Sequence, residues 1–133
     1  MLHVSPIQDK GQQEMLAGIF HTEYDADAFA YLAADDELDG TVNTLIGFMQ
    51  FRLGDGFAVV SDLREFDGVD DAEAMQIMAR AAFAFISRIG IGEVRVAKDG
   101  VDGELMKIMK MEDRGDVWAL DLIRYFATKC GDR

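Results

Sequence analysis

The sequence predicts a mixed α/β fold in which residues 1–133 form one domain and a sheet carries helices on both faces. Short apolar runs of strand length bracket two segments whose apolar residues recur at helical spacing. Half of the residues are apolar and 29% are charged, and the chain has a single proline. This composition is typical of one folded domain and not of a disordered segment or a linker.

The chain begins with a predicted strand and a helix. The strand covers 2–6, and the helix covers 8–20 with Asp9 as its expected N-terminal cap. The apolar positions of this helix, spaced three and four residues apart, are Met15, Leu16, Ile19 and Phe20. We therefore expect the helix to pack against the sheet through these side chains.

Three strands follow, and the last two form a hairpin. Alternating apolar residues predict them at 29–33, 44–53 and 57–63. A polar turn is expected at 35–40, and the tight-turn sequence Gly-Asp-Gly at 54–56 joins the last two strands. Strict alternation within 44–53 predicts Ile46, Phe48 and Gln50 on one face, with Leu45, Gly47, Met49 and Phe51 on the other.

A long apolar helix opens the second half and ends at Gly90 and Gly92. The residues that recur at helical spacing are Met75, Met78, Ala82, Phe85, Ile86 and Ile89. A helix with so narrow a polar stripe has to be covered on most sides, by the sheet and by another element or subunit. The remaining predicted elements are a strand at 93–97, a short helix at 103–110, a last strand at 116–122 and one helical turn at 123–130.

Charge is distributed unevenly along the chain, whose net charge is −12. Residues 1–75 hold 16 acidic and 3 basic side chains, whereas residues 76–133 hold 9 and 10. Binding of nucleic acid requires a basic surface, so we expect no nucleic-acid partner. The acidic half instead attracts a cationic partner, such as a small amine or a basic protein, unless it serves solubility alone.

The sequence also predicts where the protein is located and what its cysteine does. The N-terminal residues lack the features of a signal peptide, and no apolar run approaches the roughly 20 residues that span a bilayer. Cys130 is the only cysteine and has no activating base nearby in the sequence, so we expect neither a disulfide nor a thiol nucleophile. A cytoplasmic location without membrane contact is expected. Trp118 and the eight methionines are expected in the core.

The segment 63–76, LREFDGVDDAEAMQ, connects a predicted strand to the long helix and is strongly acidic. One interpretation is helix capping, because Glu73 follows Asp70 at capping-box spacing and Asp71 also lies in the first turn. A second is a divalent cation held by Asp67, Asp70 and Asp71, although the spacing does not match a calcium loop and no metal is expected. A third is a cofactor loop of unusual charge.

The order of elements and three stretches resemble the GNAT acyl-CoA N-acyltransferase family from about Gly47 to Leu122. Residues 46–63 resemble its hairpin and cofactor strand, and 79–96 its long helix, glycine stop and next strand. Residues 104–122 resemble its last short helix and closing strand. The resemblance implies a mixed, mostly antiparallel central sheet of about six strands and acetyl-CoA or another acyl-CoA as cofactor.

The resemblance also implies where that cofactor lies. In the family, the strand matching 57–63 splays from its neighbour and its backbone amides hold the pantetheine, while the next loop wraps the pyrophosphate at a helix start. The cofactor-binding candidates are therefore Ser61, Leu63, Gly68, Val69 and Ala72. The family loop is basic and glycine-rich, whereas here it is FDGVDDAEA with a single glycine.

Other departures concern the catalytic groups. The family's tyrosine acid falls on Met106, which cannot donate a proton, and its Gly-Phe pair falls near Lys110–Met111. Asp62 and Glu65 are the general-base candidates, with surface carboxylates as the alternative.

For each of the remaining polar residues, both a functional and a purely structural interpretation are possible. His21, Glu23 and Tyr24 either line the acceptor side or merely follow a helix end. Lys107 and Lys110 either meet a nucleotide phosphate or are ordinary exposed lysines.

Two functions are consistent with these observations. The first is a divergent acyl-CoA-dependent N-acetyltransferase acting on a cationic amine or a basic protein end. The second is a catalytically inactive GNAT-fold binding or regulatory module, dimeric through apolar surface.

Overall fold

The computed structural model describes residues 1–36 and 42–131. Its elements in chain order are β1 (Leu2–Ile7), α1 (Lys10–Ile19), β2 (Phe29–Asp36), β3 (Val42–Leu53), β4 (Ala58–Glu65), α2 (Ala72–Arg88), β5 (Glu93–Ala97), α3 (Gly103–Ile108), β6 (Glu112–Asp113), β7 (Val117–Asp121) and α4 (Leu122–Gly131). Part of the polar turn predicted at 35–40 lies outside the described residues, while Asp35 and Asp36 belong to β2.

The described strands form one seven-stranded sheet in the order β1-β2-β3-β4-β5-β7-β6. Every neighbouring pair is antiparallel except β4 and β5, which are parallel. The predicted mixed, mostly antiparallel sheet is therefore confirmed. The strand beyond the expected six is β6, whose two residues are too few to show any alternation in the sequence.

The core is divided between the two faces of the sheet. A smaller cluster under α1 includes Leu16, Phe20 and Phe48, with Phe20 and Phe48 stacked at 5.4 Å between ring centroids. The larger cluster lies under α2, α3 and α4. It contains Trp118 and six of the eight methionines, whereas Met1 and Met15 are exposed. Helices thus cover both faces, as predicted.

The buried face of α1 differs from the predicted one. Leu16 and Phe20 are buried, but Met15 is 59% exposed and Ile19 is 37% exposed. Gln13 is fully buried in their place. The helix is rotated so that a polar amide faces the sheet, which the apolar spacing alone cannot indicate. The cap at Asp9 is confirmed, because its side chain accepts from the backbone N–H of Gln12 at 3.0 Å.

Alternation in β3 is broken by a bulge. Ala33 pairs with Gly47 and Ala34 with Leu45, so Ile46 is an extra residue between two register positions. A bulge moves the following side chains relative to strict alternation. Ile46 accordingly joins the core under α2 and Leu45 packs against the cluster under α1, so the face predicted for each of these two residues was wrong.

The second half of the chain covers α2 with another helix. The predicted single turn at 123–130 is wrong, because α4 is a ten-residue helix that contacts α2. Phe83, which interrupts the polar stripe of α2, is fully buried. The cover expected for this apolar helix is thus supplied within the chain. No helix in the described part of the chain is long and apolar enough to cross a membrane.

Candidate functional site

The parallel strands β4 and β5 part halfway along β4. Their pairing runs from Ala58 with Val94 to Val60 with Val96, and residues 62–65 pair with β3 alone. The parting coincides with a β-bulge, because Val60 and Asp62 pair with consecutive residues of β3 and Ser61 is extra. A bulge bends and twists its strand, which gives a physical reason for the divergence. The splay expected of this strand is present.

The diverging half of β4 is hydrogen-bonded to β3 on one side and has no strand partner among the described residues on the other. A strand paired on one side leaves alternate backbone N–H and C=O groups directed away from its partner. An extended ligand with amide groups can pair with such a strand by β-type hydrogen bonds. Ser61 lies exposed at the start of this half, while the side chain of Leu63 is buried in the core under α2.

A cavity of about 220 Å³ lies at the far end of the divergence. It is bounded by the end of α1, the end of β4, the acidic connection to α2, and the loop between β5 and α3. Its lining includes Phe20, His21, Leu63, Arg64, Glu65, Asp67, Asp70, Ala72, Gly100 and Asp102. The cavity therefore joins the gap beside β4 to the N-terminus of α2, where an acyl-CoA pyrophosphate would be expected.

Carboxylates already occupy donors at the N-terminus of α2. Glu65 Oε2 accepts from the backbone N–H of Asp71 at 2.5 Å. Asp71 Oδ1 in turn accepts from the backbone N–H of Ala74 at 3.0 Å. The N-cap is Asp71 and not Asp70, so Glu73 stands one residue too early for a capping box. Capping as such is confirmed, and it removes two donors that an incoming anion would use.

The connection between β4 and α2 otherwise forms a tight turn. The backbone N–H of Val69 donates to Phe66 O at 3.0 Å, and Gly68 adopts a left-handed φ of 83°. Val69 packs its side chain on the core. Among the five cofactor-binding candidates, Leu63 and Ala72 line the cavity, whereas Ser61, Gly68 and Val69 do not. The N–H of Val69 is thus engaged within the protein.

Two carboxylates of the acidic connection are bonded to other parts of the protein. Asp67 Oδ2 lies 2.9 Å from His21 Nε2, while Asp71 caps α2. Within 1–36 and 42–131, no group of three or more His, Cys, Asp or Glu side chains is arranged to hold a metal ion. His21 follows the end of α1 with a left-handed φ of 61° and reaches the cavity, whereas Glu23 is exposed and Tyr24 packs beside the smaller cluster.

Arg64 supplies positive charge to the same cavity. Its guanidinium lies against Gly100, where an added Cβ would come within 2.6 Å of Nη2. Gly100 also has a left-handed φ of 74°, so both its backbone conformation and the nearby guanidinium favour glycine at this position. No carboxylate of the described residues forms an ion pair with Arg64. The cavity thus holds one unpaired arginine among four carboxylates.

Asp62 lies on the opposite face of the sheet, toward α1, and a buried amide fixes its carboxylate. Gln50 Nε2 donates to Asp62 Oδ2 at 2.8 Å and to Glu23 O at 3.0 Å. Gln50 Oε1 accepts from Gln13 Nε2 at 2.9 Å and from the backbone N–H of Asp25 at 3.2 Å. Gln13 and Gln50 are both fully buried. A buried amide with every position bonded holds one orientation.

The two general-base candidates therefore have different surroundings. Asp62 also accepts from Ser61 Oγ at 3.1 Å, and both residues stand where β4 parts from β5. Glu65 lines the cavity but is bonded to the start of α2. Asp62 is the carboxylate placed at the gap. Sequence reasoning missed Gln13 and Gln50, whose only signal is that each interrupts an apolar pattern.

An acidic loop lies beside this network. Arg52 donates through Nε to Asp25 Oδ2 at 2.5 Å and through Nη2 to Asp25 Oδ1 at 2.8 Å. These hydrogen bonds hold the pKa of Asp25 below its usual value. Asp27 lies 3.7 Å from the same guanidinium, and the side chain of Glu23 has no partner among the described residues. The loop at 21–28 thus keeps net negative charge close to Asp62.

The residues expected at the short helix are placed differently from one another. Met106 is fully buried in the core and does not line the cavity beside β4. Its thioether has no proton to donate. Lys107 lies 3.5 Å from Glu104 on the exposed side of α3. Lys110 lies beyond the helix and does not border the cavity at β4. Neither lysine reaches that cavity.

The fold matches those of solved N-acetyltransferases, although no protein-family model and no curated protein sequence matches the chain. The ribosomal-protein-S18-alanine N-acetyltransferase of Escherichia coli has a TM-score of 0.70 at 6% identity, covering 92% of this chain and 94% of that one. A spermidine/spermine N-acetyltransferase of Vibrio cholerae has a TM-score of 0.68 at 9% identity, covering 96% and 99%. A GNAT-family N-acetyltransferase of Escherichia coli in complex with CoA has a TM-score of 0.61 at 14% identity, covering 92% and 81%.

These similarities extend over nearly the whole chain. The TM-scores establish a shared fold, and identities of 6–14% leave the chemistry to be argued from the residues of this chain. The chain has the fold of the GNAT N-acetyltransferases.

Proposed function

We propose that this protein is a divergent GNAT-like N-acetyltransferase that transfers an acyl group from acyl-CoA to a cationic amine or a basic protein end. The observation that carries the proposal is the parting of β4 from β5 at the Ser61 bulge, with a cavity at its far end. One protein of similar fold contains CoA, which supports this ligand class.

The residues suit one part of acyl-CoA better than the other. The half of β4 that diverges from β5 has free backbone groups that can form hydrogen bonds with the amides of the pantetheine. The pyrophosphate would lie near Glu65, Asp67 and Asp70, and like charges 4 Å apart repel by about 4 kcal/mol at an effective dielectric constant near 20. Arg64 and the first turn of α2 attract it. We therefore expect binding that is weakened by the carboxylates but still specific.

Asp62 is proposed as the general base. Acyl-CoA supplies the acyl group as a thioester, whose C–S bond breaks as the bond from the amine nitrogen to the carbonyl carbon forms. The acceptor enters as an ammonium ion and loses one proton to Asp62 through a bridging water. Asp62 then releases this proton to solvent. The second proton lost by the nitrogen ends on the departing thiolate. Gln50 holds the accepting carboxylate throughout.

The cationic acceptor is supported by charge next to Asp62. Glu23, Asp25 and Asp27 lie on one loop, and Gln50 bridges the backbone of Glu23 to the Asp62 carboxylate. Among the described residues, Arg52 forms ion pairs with Asp25 and Asp27, and Glu23 has no such partner. A loop of this charge raises the local concentration of cations. One protein of similar fold acts on spermidine and spermine, which are cationic amines.

A second candidate function is a binding or regulatory module without catalysis. The contact between Glu65 and Asp71 favours it, because the carboxylate occupies the start of α2 as a bound anion would. Met106, which stands at the position of the family's tyrosine acid, is buried and cannot donate a proton. Exposed Met15 and Ile19, one turn apart on α1, offer an apolar surface on which such a module could form a homodimer.

Ligand-dependent melting followed by a thiol-release assay tests both candidates. Acetyl-CoA or CoA at about a hundred times its dissociation constant stabilises by roughly 2.7 kcal/mol, which corresponds to several degrees. We expect both ligands to shift the melting temperature, and amines to release CoA thiol from acetyl-CoA. No shift with either ligand would contradict an acyl-CoA function. A shift without thiol release across an amine panel would favour the module.

A matched pair of variants tests the role of Asp62. Asp62→Asn keeps an oxygen that accepts from Gln50 but cannot take a proton, so kcat should fall by about 10²–10⁴. The melting shift with CoA should stay as in the wild type. Asp55→Asn, in the exposed hairpin turn, changes the charge equally and should leave kcat unchanged. Equal kcat in wild type and Asp62→Asn would exclude Asp62 as the base.

A further inference from the structure

A second and larger cavity, of about 450 Å³, lies on the face of the sheet that carries α2. It is bounded by α2, the end of α3, the edge of β7 and the start of α4. It shares no lining residue with the cavity beside β4. Its volume falls within the range typical of small-molecule sites.

The cavity exists because two neighbouring elements are short. The helix α3 ends at Ile108, and Lys110 turns the chain away with a left-handed φ of 61°. The strand β6 then pairs only with Trp118 and Ala119, so β7 extends beyond it at Leu120. The edge of β7 is therefore left uncovered between α3 and α4.

Three cations converge on this cavity in a chain whose net charge is −12. They are Arg80 from α2, Lys110 after α3 and Arg124 from α4. Among the described residues none of the three has a carboxylate partner within 4.0 Å. Basic side chains in so acidic a protein have many possible partners, so three unpaired cations around one cavity form an anion-attracting surface.

The acidic residues at the cavity are engaged elsewhere. Glu112 lies 3.6 Å from Arg114, outside the cavity lining. Asp121 Oδ1 accepts from the backbone N–H of Arg124 at 3.1 Å and thereby caps the start of α4. Neither carboxylate forms an ion pair with Arg80, Lys110 or Arg124.

One of the cations is held in position. Arg80 is half-buried, and its Nε donates to Tyr125 Oη at 3.2 Å. Tyr125 is itself packed edge-on against Phe126, with ring centroids 5.0 Å apart. No described residue accepts from the two terminal nitrogens of Arg80. These nitrogens form the fork that binds carboxylate or phosphate oxygens in a bidentate manner.

Apolar residues complete the lining. Met109 and Leu120 are buried, and Ile108 is half-exposed at the rim. An apolar wall beside an unpaired, oriented guanidinium suits a ligand with one charged end and one apolar body.

From these observations we propose that the cavity between α2, α3, β7 and α4 binds a small organic oxyanion, a carboxylate or a phosphate ester, with an apolar body. The oxyanion lies between Arg80, Lys110 and Arg124, and the apolar body lies on Ile108 and Leu120. This site is separate from the proposed acyl-CoA site and does not depend on catalysis.

Titration calorimetry with four eight-carbon probes tests the proposal. Octanoate and octyl phosphate carry the two candidate oxyanions, octanol is neutral and octylamine is cationic. We expect one of the two anions to bind at least tenfold more tightly than octanol and octylamine, and the better anion identifies the oxyanion class. Binding of octanol as tight as that of both anions, or of no probe at all, would overturn the proposal.

Variants and competition locate the binding. Arg124→Gln, on the exposed side of α4, should weaken the better anion at least fivefold while the protein stays folded, and Arg80→Gln should weaken it further. Arg88→Gln removes an exposed cation of α2 that does not border the cavity, and should bind as the wild type does. If Arg88→Gln weakened binding equally, the effect would come from the net charge of the protein and not from contacts in the cavity. Displacement of the anion by CoA would contradict a separate site.

Discussion

Gln50 bonds all of its amide positions inside the protein, linking α1, the loop at 21–28 and Asp62. A buried polar group left without its partner costs about 1–3 kcal/mol. Gln50→Leu keeps the volume but removes every bond, so we expect the free energy of unfolding in urea to fall by about 2–4 kcal/mol. Gln12→Leu, on the exposed side of α1, is the control and should change it by less than about 0.5 kcal/mol.

Glu65 should weaken the binding of CoA by its charge and not by its shape. Glu65→Gln keeps an oxygen that accepts from the Asp71 N–H, while removing one negative charge from the cavity. A gain of about 1 kcal/mol in binding, roughly fivefold, is expected from calorimetry with CoA. The control Glu14→Gln, exposed on α1 and outside the cavity, makes the same change in net charge. A gain of the same size in both variants would show that only net charge matters.

At the scale of single residues, the sequence identified Asp62, Glu65, Leu63 and Ala72 as belonging to one region of the molecule. It did not separate Asp62 from Glu65, because the bond of Asp62 to Gln50 and the bond of Glu65 to the Asp71 N–H form only in the packed fold. Gln50 was recognised only as a strand position. Its role depends on Gln13, which lies opposite it only once α1 is packed against β3.

The helix α2 depends on Asp71 at its N-terminus. Asp71→Ala removes the bond to the Ala74 N–H, and loss of such a cap costs typically about 1 kcal/mol of stability. Asp70→Ala, one residue earlier, removes an exposed carboxylate with no hydrogen-bond partner in the described chain and should cost less than about 0.5 kcal/mol. Thermal unfolding of the two variants checks this, and the reverse order would place the cap at Asp70.

Elements were predictable where periodicity is long and unbroken. The hairpin of β3 and β4 and the helix α2 follow directly from alternation, the Gly-Asp-Gly turn and helical spacing. The strand β6 has two residues and no period to recognise. The extent of α4 was underestimated, because its stability comes from packing on α2 and not from its own sequence alone.

Across the whole molecule, several carboxylates tie acid stability to specific ion pairs. Hydrogen bonds from Arg52, Arg95 and Lys98 lower the pKa values of Asp25, Glu93 and Asp113 respectively. A carboxyl with a depressed pKa in the folded state stabilises fully above its ordinary pKa, which is 3.8 for aspartate and 4.5 for glutamate. That stabilisation is lost as the pH falls through the depressed value.

Asp25→Asn tests this linkage. We expect the variant to be less stable than the wild type at neutral pH and to lose less stability between about pH 5 and pH 2.5, as followed by urea unfolding. Asp27→Asn is the matched control, because Asp27 is more exposed and lies farther from Arg52. Parallel pH profiles for wild type and Asp25→Asn would show that the pair with Arg52 does not contribute.

The distribution of charge gives the molecule two chemically different cavities. The lining of the one beside β4 includes four carboxylates and one arginine, whereas the lining of the one between α2 and α4 includes three unpaired cations and two carboxylates. The sequence predicted the acidic first half but could not predict the second cavity. Its three cations come from α2, the end of α3 and α4, and only the packed fold brings them together.

Acyl-CoA is proposed to bind in the gap where β4 parts from β5. A titration of the amide-labelled protein with CoA, followed by two-dimensional NMR, tests it most directly. We expect the largest chemical-shift changes at residues 61–65 and at the first turn of α2, with residues of the larger cavity such as Leu120 unchanged. Absence of changes at 61–65 under saturating CoA, or changes centred on the larger cavity, would contradict it.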